Sequence, residues 1–119
     1  MGDISQYFNR SEFACKCGCG LDSIDSETLE AVEQIRIHFN APITINSANR
    51  CPTHNASVGG AKHSQHLYSR ACDIVVKDVA PSVVADYAES IGLKGVGRYN
   101  SFTHVDTRSG STWRGGPAA

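Results

Sequence analysis

A carboxylate, Asp73, stands inside the apolar run Ala71-Cys72-Asp73-Ile74-Val75-Val76. A run of that length with β-branched residues reads as a buried strand. A carboxylate there is costly unless a cation, a proton or several donors compensate it. The fold must therefore bring partners to Asp73, and the sequence offers two groups of them. Ser64-Gln65-His66 lies just before the run, and His104-Val105-Asp106 lies about thirty residues after it. Two histidines and one Asp are a usual ligand set for a catalytic zinc, because three protein ligands leave a fourth position for water. The competing reading makes His66 and His104 surface polar residues and Asp73 a strand-end turn residue. Spacing alone leaves both open.

Length and composition narrow the class. At 119 residues the chain is expected to form one domain, 1–119, with a single core. A hydrophobic fraction of 40% and a charged fraction of 19% describe an ordinary globular chain, not a disordered or fibrous one. The formal net charge of −1 supplies no basic field, which argues against nucleic acid as the main partner. No apolar run approaches membrane-spanning length. The start, Met1-Gly2-Asp3-Ile4-Ser5-Gln6, lacks the basic and apolar regions of a secretion signal, so synthesis without one is the expectation.

Five cysteines cannot all pair within one chain. Cys15, Cys17 and Cys19 alternate, a C-x-C-x-C pattern unlike the paired C-x-x-C knuckles of a zinc ribbon. The default for this stretch is a loop of small thiols and glycines, with metal or disulfide chemistry as the lesser alternative. Cys72, between Ala71 and Asp73, is expected to fill core volume.

Periodicity predicts alternating helices and strands. Residues 1–20 read as irregular or one short helix, anchored by Tyr7, Phe8 and Phe13. Asp25 can cap a helix bearing Leu29, Val32, Ile35 and Phe39, with Ile24 and Leu29 placed as a hydrophobic staple and Asn40-Ala41-Pro42 as the stop. Residues 43–47 alternate as a strand, and a short helix is expected from Pro52 to Val58. Pro81 suits the first turn of a second long helix with Val83, Val84, Tyr87, Ala88 and Ile91 as its apolar face and Gly92 as its end. Residues 95–99 and 102–107 read as a hairpin joined by Asn100-Ser101, and the Gly- and Ser-rich tail is expected to fold Trp113 back. The fold class is α+β: a small, mostly antiparallel sheet with packed helices.

That pattern sharpens the metal reading. Side chains alternate along a strand, so His104 and Asp106 share one face. If their strand pairs with 71–76, Asp73 and His104 meet on that face and His66 reaches them from the preceding loop. Such a half-cage with an open side suits catalysis better than structure.

Residues 64–73 fit the pattern S-x-H-x-x-G-x-A-x-D through Ser64, His66, Ala71 and Asp73, with Ser69 at the Gly position, and His104-x-Asp106 follows. This resembles the zinc D-alanyl-D-alanine carboxypeptidases and peptidoglycan endopeptidases, phage endolysins among them, which share a fold with the hedgehog signalling domain. Further segments look like family ones: Ser11-Glu12-Phe13-Ala14-Cys15, Asn46-Ser47-Ala48-Asn49-Arg50-Cys51-Pro52, Asn55, Val58-Gly59-Gly60-Ala61, Gly95-Val96-Gly97-Arg98-Tyr99, and 102–108 with a later Trp113. The similarity covers nearly the whole chain.

The resemblance implies Zn2+ held by His66, Asp73 and His104, hydrolysis of peptide bonds in peptidoglycan stem peptides or cross-links, and a monomer acting on the cell wall by a phage-lysis, periplasmic or extracellular route. Zinc in such a site polarises the scissile carbonyl and lowers the pKa of a water. Arg50 matches a family arginine that resembles an anchor for a substrate carboxylate or carbonyl, against the alternative of a surface salt bridge. Several relatives carry an acid three positions before the second zinc histidine, where this chain has Ser101. Asp106 is then the acidic candidate for general base, with orientation of a histidine or Arg50 as its alternative role. His63 is a further candidate base, while His54 and His38 read as bystanders. Gln65 can bind substrate or support its loop. Glycine at the position of Ser69 would permit a positive φ or close packing, so serine there bears on the His66 loop without removing a ligand. The alternative function is a non-catalytic, zinc-binding hedgehog-like domain in a phage or wall-associated assembly.

Overall fold

The apolar run around Asp73 is a strand, second in a five-stranded sheet. The computed structural model describes residues 5–16, 18–19, 22–58, 65–108, 110 and 112–116, without the side chains of Pro52, His54, Leu67 and Tyr68. The strands are β1 (Ile43–Ser47), β2 (Ala71–Val76), β3 (Gly95–Arg98), β4 (Thr103–Asp106) and β5 (Trp113–Gly115), in the order β1-β2-β4-β3-β5. Neighbours are antiparallel except for β3 and β5. With α1 (Ser26–Phe39), α2 (Pro52–Ser57) and α3 (Pro81–Ser90), this is the expected α+β architecture. Trp113 does fold back, and it does so as a parallel edge strand that the sequence reading left unassigned.

The helices form where their caps allow. Asp25 accepts the Glu27 backbone N–H at 2.9 Å and starts α1. Val32 and Ile35 are fully buried, Leu29 and Phe39 pack partly buried beside them, and Asn40 ends the helix with φ 48°. Pro81 opens α3, whose buried face is Val84, Ala85 and Ala88. Val83, expected on that face, is instead 48% exposed. At 3.6 residues per turn it lies roughly 140° from the middle of the buried stripe.

Alternation along the sheet sorts core from site. Cys72, Ile74 and Val76 of β2 join Val96, Val105 and the buried faces of α1 and α3 in one core. Phe8 and Phe13 complete it, their rings 5.8 Å apart. Asp73 therefore projects from the opposite face. A register shift between Ile45 and Ser47 sets Ser47 opposite Asp73, and irregularities of this kind re-aim side chains beside sites. Arg98 ties β3 to α3, donating from Nη2 to Asp86 at 2.5 Å and Glu89 at 2.8 Å. Among the described residues no helix is long and apolar enough to cross a membrane.

Candidate metal centre

The sheet register assembles two of the three candidate ligands. Asp73 pairs directly with His104, and Asp106 pairs with Ala71 one dipeptide further along. On the other side of β4, Gly97 faces His104 and Gly95 faces Asp106. A Cβ on Gly95 would overlap the Asp106 carboxylate, and one on Gly97 would meet the His104 Cβ at 3.0 Å. The alternating glycines make room for the charged face of the neighbouring strand. The sequence reading noted this segment and missed its purpose; Gly-x-Gly in a strand facing His-x-Asp was the available signal.

His66 arrives from the 3-10 turn Gln65–Tyr68 immediately before β2. That turn is held from several sides. Ser69 adopts φ 60°, the left-handed conformation for which the pattern expects glycine. Its hydroxyl donates to Asn49 Oδ1 at 2.7 Å, and its carbonyl accepts the Asp25 N–H at 2.8 Å. Buried Asn49 in turn donates to the carbonyls of Phe13, at 2.7 Å, and Ser23. The backbone N–H of Arg50 donates to the His66 carbonyl at 3.2 Å. Gln65 accepts from Arg70 Nε at 2.6 Å, so it supports the loop.

The polar atoms then converge. His66 Nε2 lies 3.2 Å and His104 Nδ1 2.9 Å from the same oxygen, Asp73 Oδ1. All three residues are buried. The outer nitrogen of each ring is already committed: His66 Nδ1 is 2.6 Å from the Ala48 carbonyl, and His104 Nε2 is 2.6 Å from Asp106 Oδ2. A carbonyl only accepts, so His66 Nδ1 carries the hydrogen; a carboxylate asks the same of His104 Nε2. In the neutral rings the inner nitrogens are thus lone pairs facing a carboxylate oxygen. Three acceptors within 4.8 Å of one another in a buried site call for a cation or added protons. Two imidazole nitrogens and one carboxylate oxygen suit zinc, whose bonds of about 2.0–2.2 Å in tetrahedral geometry need ligand atoms separated by a little over 3 Å.

Burial works against the Asp73 carboxylate, but hydrogen bonds from His104 and His66 outweigh it and hold its pKa well below the usual range. Burial likewise disfavours a charged His104, yet hydrogen bonds to Asp106 and Asp73 prevail and raise its pKa.

Around this group stand residues with distinct contacts. The Arg50 guanidinium is largely buried, with Nη2 3.5 Å from Asp73 Oδ2, and it donates to Ser47 Oγ at 3.3 Å and Asn55 Oδ1 at 3.4 Å. It therefore makes an ion pair with a candidate ligand, Asp73, from a largely buried position. Asp106 is wholly buried and accepts from Arg108 Nε at 2.8 Å, Arg108 Nη2 at 2.6 Å and the Arg108 N–H at 3.1 Å. Burial opposes its charge, but these bonds and the one from His104 win, and its pKa is strongly lowered. Trp113 packs edge-on against the His104 ring at 5.5 Å, with the Arg108 guanidinium over its own ring at 4.8 Å. Arg108, Trp113, Asn49 and the Ala48 carbonyl were not among the sequence-derived site residues. Their roles depend on tertiary geometry that no local pattern announces.

Of the six candidates, His66, Asp73, His104, Asp106 and Arg50 come together. His63 lies outside the described residues, as does Ser64. His38 stacks on Tyr87 at 3.7 Å.

The Peptidase M15 sequence profile matches residues 6–106, and the chain belongs to that family. The matched span includes all three converging residues. The chain is 34% identical over 77 residues to the zinc D-Ala-D-Ala carboxypeptidase of Streptomyces albus G, covering 60% of this chain and 30% of that protein. It is 37% identical over 83 residues to the probable peptidoglycan L,D-endopeptidase MepK of Haemophilus influenzae, covering 64% of this chain and 45% of that protein. The chain thus spans less than half the length of either relative.

Proposed function

We propose that residues 1–119 form a single zinc metallopeptidase domain that hydrolyses peptide bonds in peptidoglycan stem peptides or cross-links, as a D,D-carboxypeptidase or an endolysin-like endopeptidase. One observation carries the reading: the inner nitrogens of His66 and His104 converge on one oxygen of buried Asp73, the three ligand atoms lying within 4.8 Å of one another, while the outer ring nitrogens are already hydrogen-bonded. His66, Asp73 and His104 hold the zinc, which when bound polarises a carbonyl and lowers the pKa of a water. The relatives' names, a carboxypeptidase and an endopeptidase acting on wall material, support the substrate class.

The surrounding residues take supporting roles. Arg50 offers a fixed guanidinium fork beside the centre, suited to a substrate carboxylate or carbonyl oxygen. Asp106 keeps His104 in the Nε2–H tautomer and leaves Nδ1 for the metal. With every described contact of its carboxylate directed to His104 and Arg108, orientation is favoured over proton abstraction. His63 remains the candidate base. Action on the cell wall, by a phage-lysis route or in the periplasm or outside the cell, follows from this substrate.

The second reading is a zinc-binding domain without hydrolysis. It is favoured by Ser101 at the position where several relatives carry an acid. Incubating zinc-loaded protein with purified peptidoglycan and reading the new termini by mass spectrometry separates the two. New peptide termini that disappear with His66→Ala or with chelation support the peptidase. Intact wall material after incubation with the loaded wild-type protein sinks it in favour of the binding domain.

A further inference from the structure

A second convergence of ligand atoms lies outside the histidine centre. The sulfur atoms of Cys15, Cys19 and Cys51 are all within 4.8 Å of one another. Cys15 and Cys19 belong to the N-terminal segment, while Cys51 lies 36 residues beyond Cys15, next to Arg50. The backbone is shaped for this meeting. Gly18 turns the chain at φ +83° and its N–H donates to the Cys15 carbonyl at 3.2 Å, which brings Cys19 back beside Cys15. A Cβ on Gly18 would meet nothing within 4 Å, so the left-handed backbone is what calls for glycine there. The N–H of Cys51 donates to Cys15 Sγ at 3.4 Å, the kind of bond that orients a ligand atom from outside the coordination sphere.

Burial is graded across the group: Cys15 is buried, Cys51 half-buried and Cys19 exposed. Simple core filling describes Cys72, which packs inside the sheet with its thiol pushed up in pKa by burial, and does not describe a cluster reaching the surface. Cys15 and Cys19 have three residues between them, within the spacing range of structural zinc sites. The alternation with Cys17 conceals this spacing in the sequence. Cys17 lies outside the described residues.

We propose that Cys15, Cys19 and Cys51 supply three thiolate ligands to a second zinc ion, which clamps the N-terminal segment onto the turn carrying Arg50. Thiolates are soft ligands that favour zinc over harder divalent cations. The clamp would close a loop between distant segments already joined by the Asn49–Phe13 hydrogen bonds, and metal binding at such a site is coupled to folding. Its effect on the neighbouring chemistry runs through Arg50, whose backbone adjoins a ligand.

Cobalt(II) substitution and elemental analysis of the full chain, purified under reducing conditions, test the site. Wild type should bind two metal ions per chain and show thiolate-to-cobalt charge-transfer absorption in the near ultraviolet. His66→Ala should drop to one ion and keep that absorption, whereas Cys19→Ser or Cys51→Ser should drop to one ion and lose it. The wild-type spectrum needs no variant to fold. Wild type with one metal ion and no thiolate absorption would overturn the proposal, as would a disulfide among these cysteines in the reduced preparation.

Discussion

The strand-borne and loop-borne halves of the histidine centre are built on different principles. Asp73, His104 and Asp106 sit on paired strands, so their positions follow from register and from the pleat. Shifting any of them means moving a whole strand with its core residues. His66 and Arg50 sit on connections, where no ladder fixes them. They are held by single hydrogen bonds through Asn49, Ser69 and Ala48, and by one left-handed serine. A centre assembled this way has a floor set by strand register and a side set by hydrogen bonds between loops.

The harshest way to break the strand half leaves every polar residue in place. Gly95→Ala would push a methyl group into the Asp106 carboxylate, which is wholly buried and bonded to His104 and Arg108. Disrupting a buried charge network of this kind costs about 3–5 kcal/mol. Denaturant unfolding should show a loss of that size, and zinc content should fall with it. Gly92→Ala is the control, with φ +86° but open space around it, and should cost only roughly 1–2 kcal/mol from its backbone conformation. Equal losses in the two variants would mean that Gly95 is not reserved for Asp106.

Asp106→Asn probes the same half more gently, by removing charge and keeping shape. If Asp106 orients His104, zinc affinity should weaken about ten- to a hundredfold and activity should return at saturating zinc. A drop of about a hundred- to ten-thousand-fold at full zinc occupancy would instead make it a proton acceptor. The pH dependence gives a second readout. In the metal-free protein the His104 pKa is raised despite burial, through Asp106 and Asp73. That stabilisation is fully present below the unfolded histidine pKa and is lost as pH rises through the folded one. Zinc held at Nδ1, as proposed, would have to displace this proton, so its affinity should climb with pH over the same window. Removing the Asp106 charge takes away one raising influence, and the window should move to lower pH. Titrating zinc uptake against pH in both proteins measures the shift.

The contrast between the halves also explains what the sequence made legible. Asp73 in its apolar run and His104-x-Asp106 were readable because a period of two and an unpaired buried charge are local signals. The helices around Val32, Ile35 and Val84 were readable for the same kind of reason, through caps and a 3.6-residue period. Val83 failed because five apolar residues in α3 span more of the helix than its buried stripe does. Arg108 was invisible as the partner of Asp106, since an arginine near a carboxylate in sequence carries no sign of burial. Strand β5 escaped because three residues in a Gly-rich tail give no periodicity. The Cys15–Cys19–Cys51 group required a contact across 36 residues that only tertiary structure supplies.

The finest test falls on the loop half, at Ser69. Its φ of 60° is strained for a residue with a Cβ, by roughly 1–2 kcal/mol. Its hydroxyl offsets part of that by donating to Asn49 Oδ1 at 2.7 Å, with Ser23 Oγ at 3.1 Å on its other side; a single such bond contributes about 1 kcal/mol. Ser69→Gly relieves the strain and loses the bond, and a more flexible unfolded chain takes back roughly another 0.4–1 kcal/mol. The net change should be within about 1 kcal/mol of zero. Ser69→Ala keeps the strain and loses the bond, so it should be destabilised by about 1 kcal/mol. Alanine falling below both serine and glycine in unfolding free energy is therefore the expected order. If alanine matches serine, the hydroxyl contributes nothing and the His66 loop is held by its other contacts, such as Gln65 with Arg70 and His66 with the Ala48 carbonyl. If glycine is instead the worst of the three, the strain it relieves at φ 60° is smaller than the unfolded-chain entropy it adds, because glycine and alanine both lack the bond to Asn49.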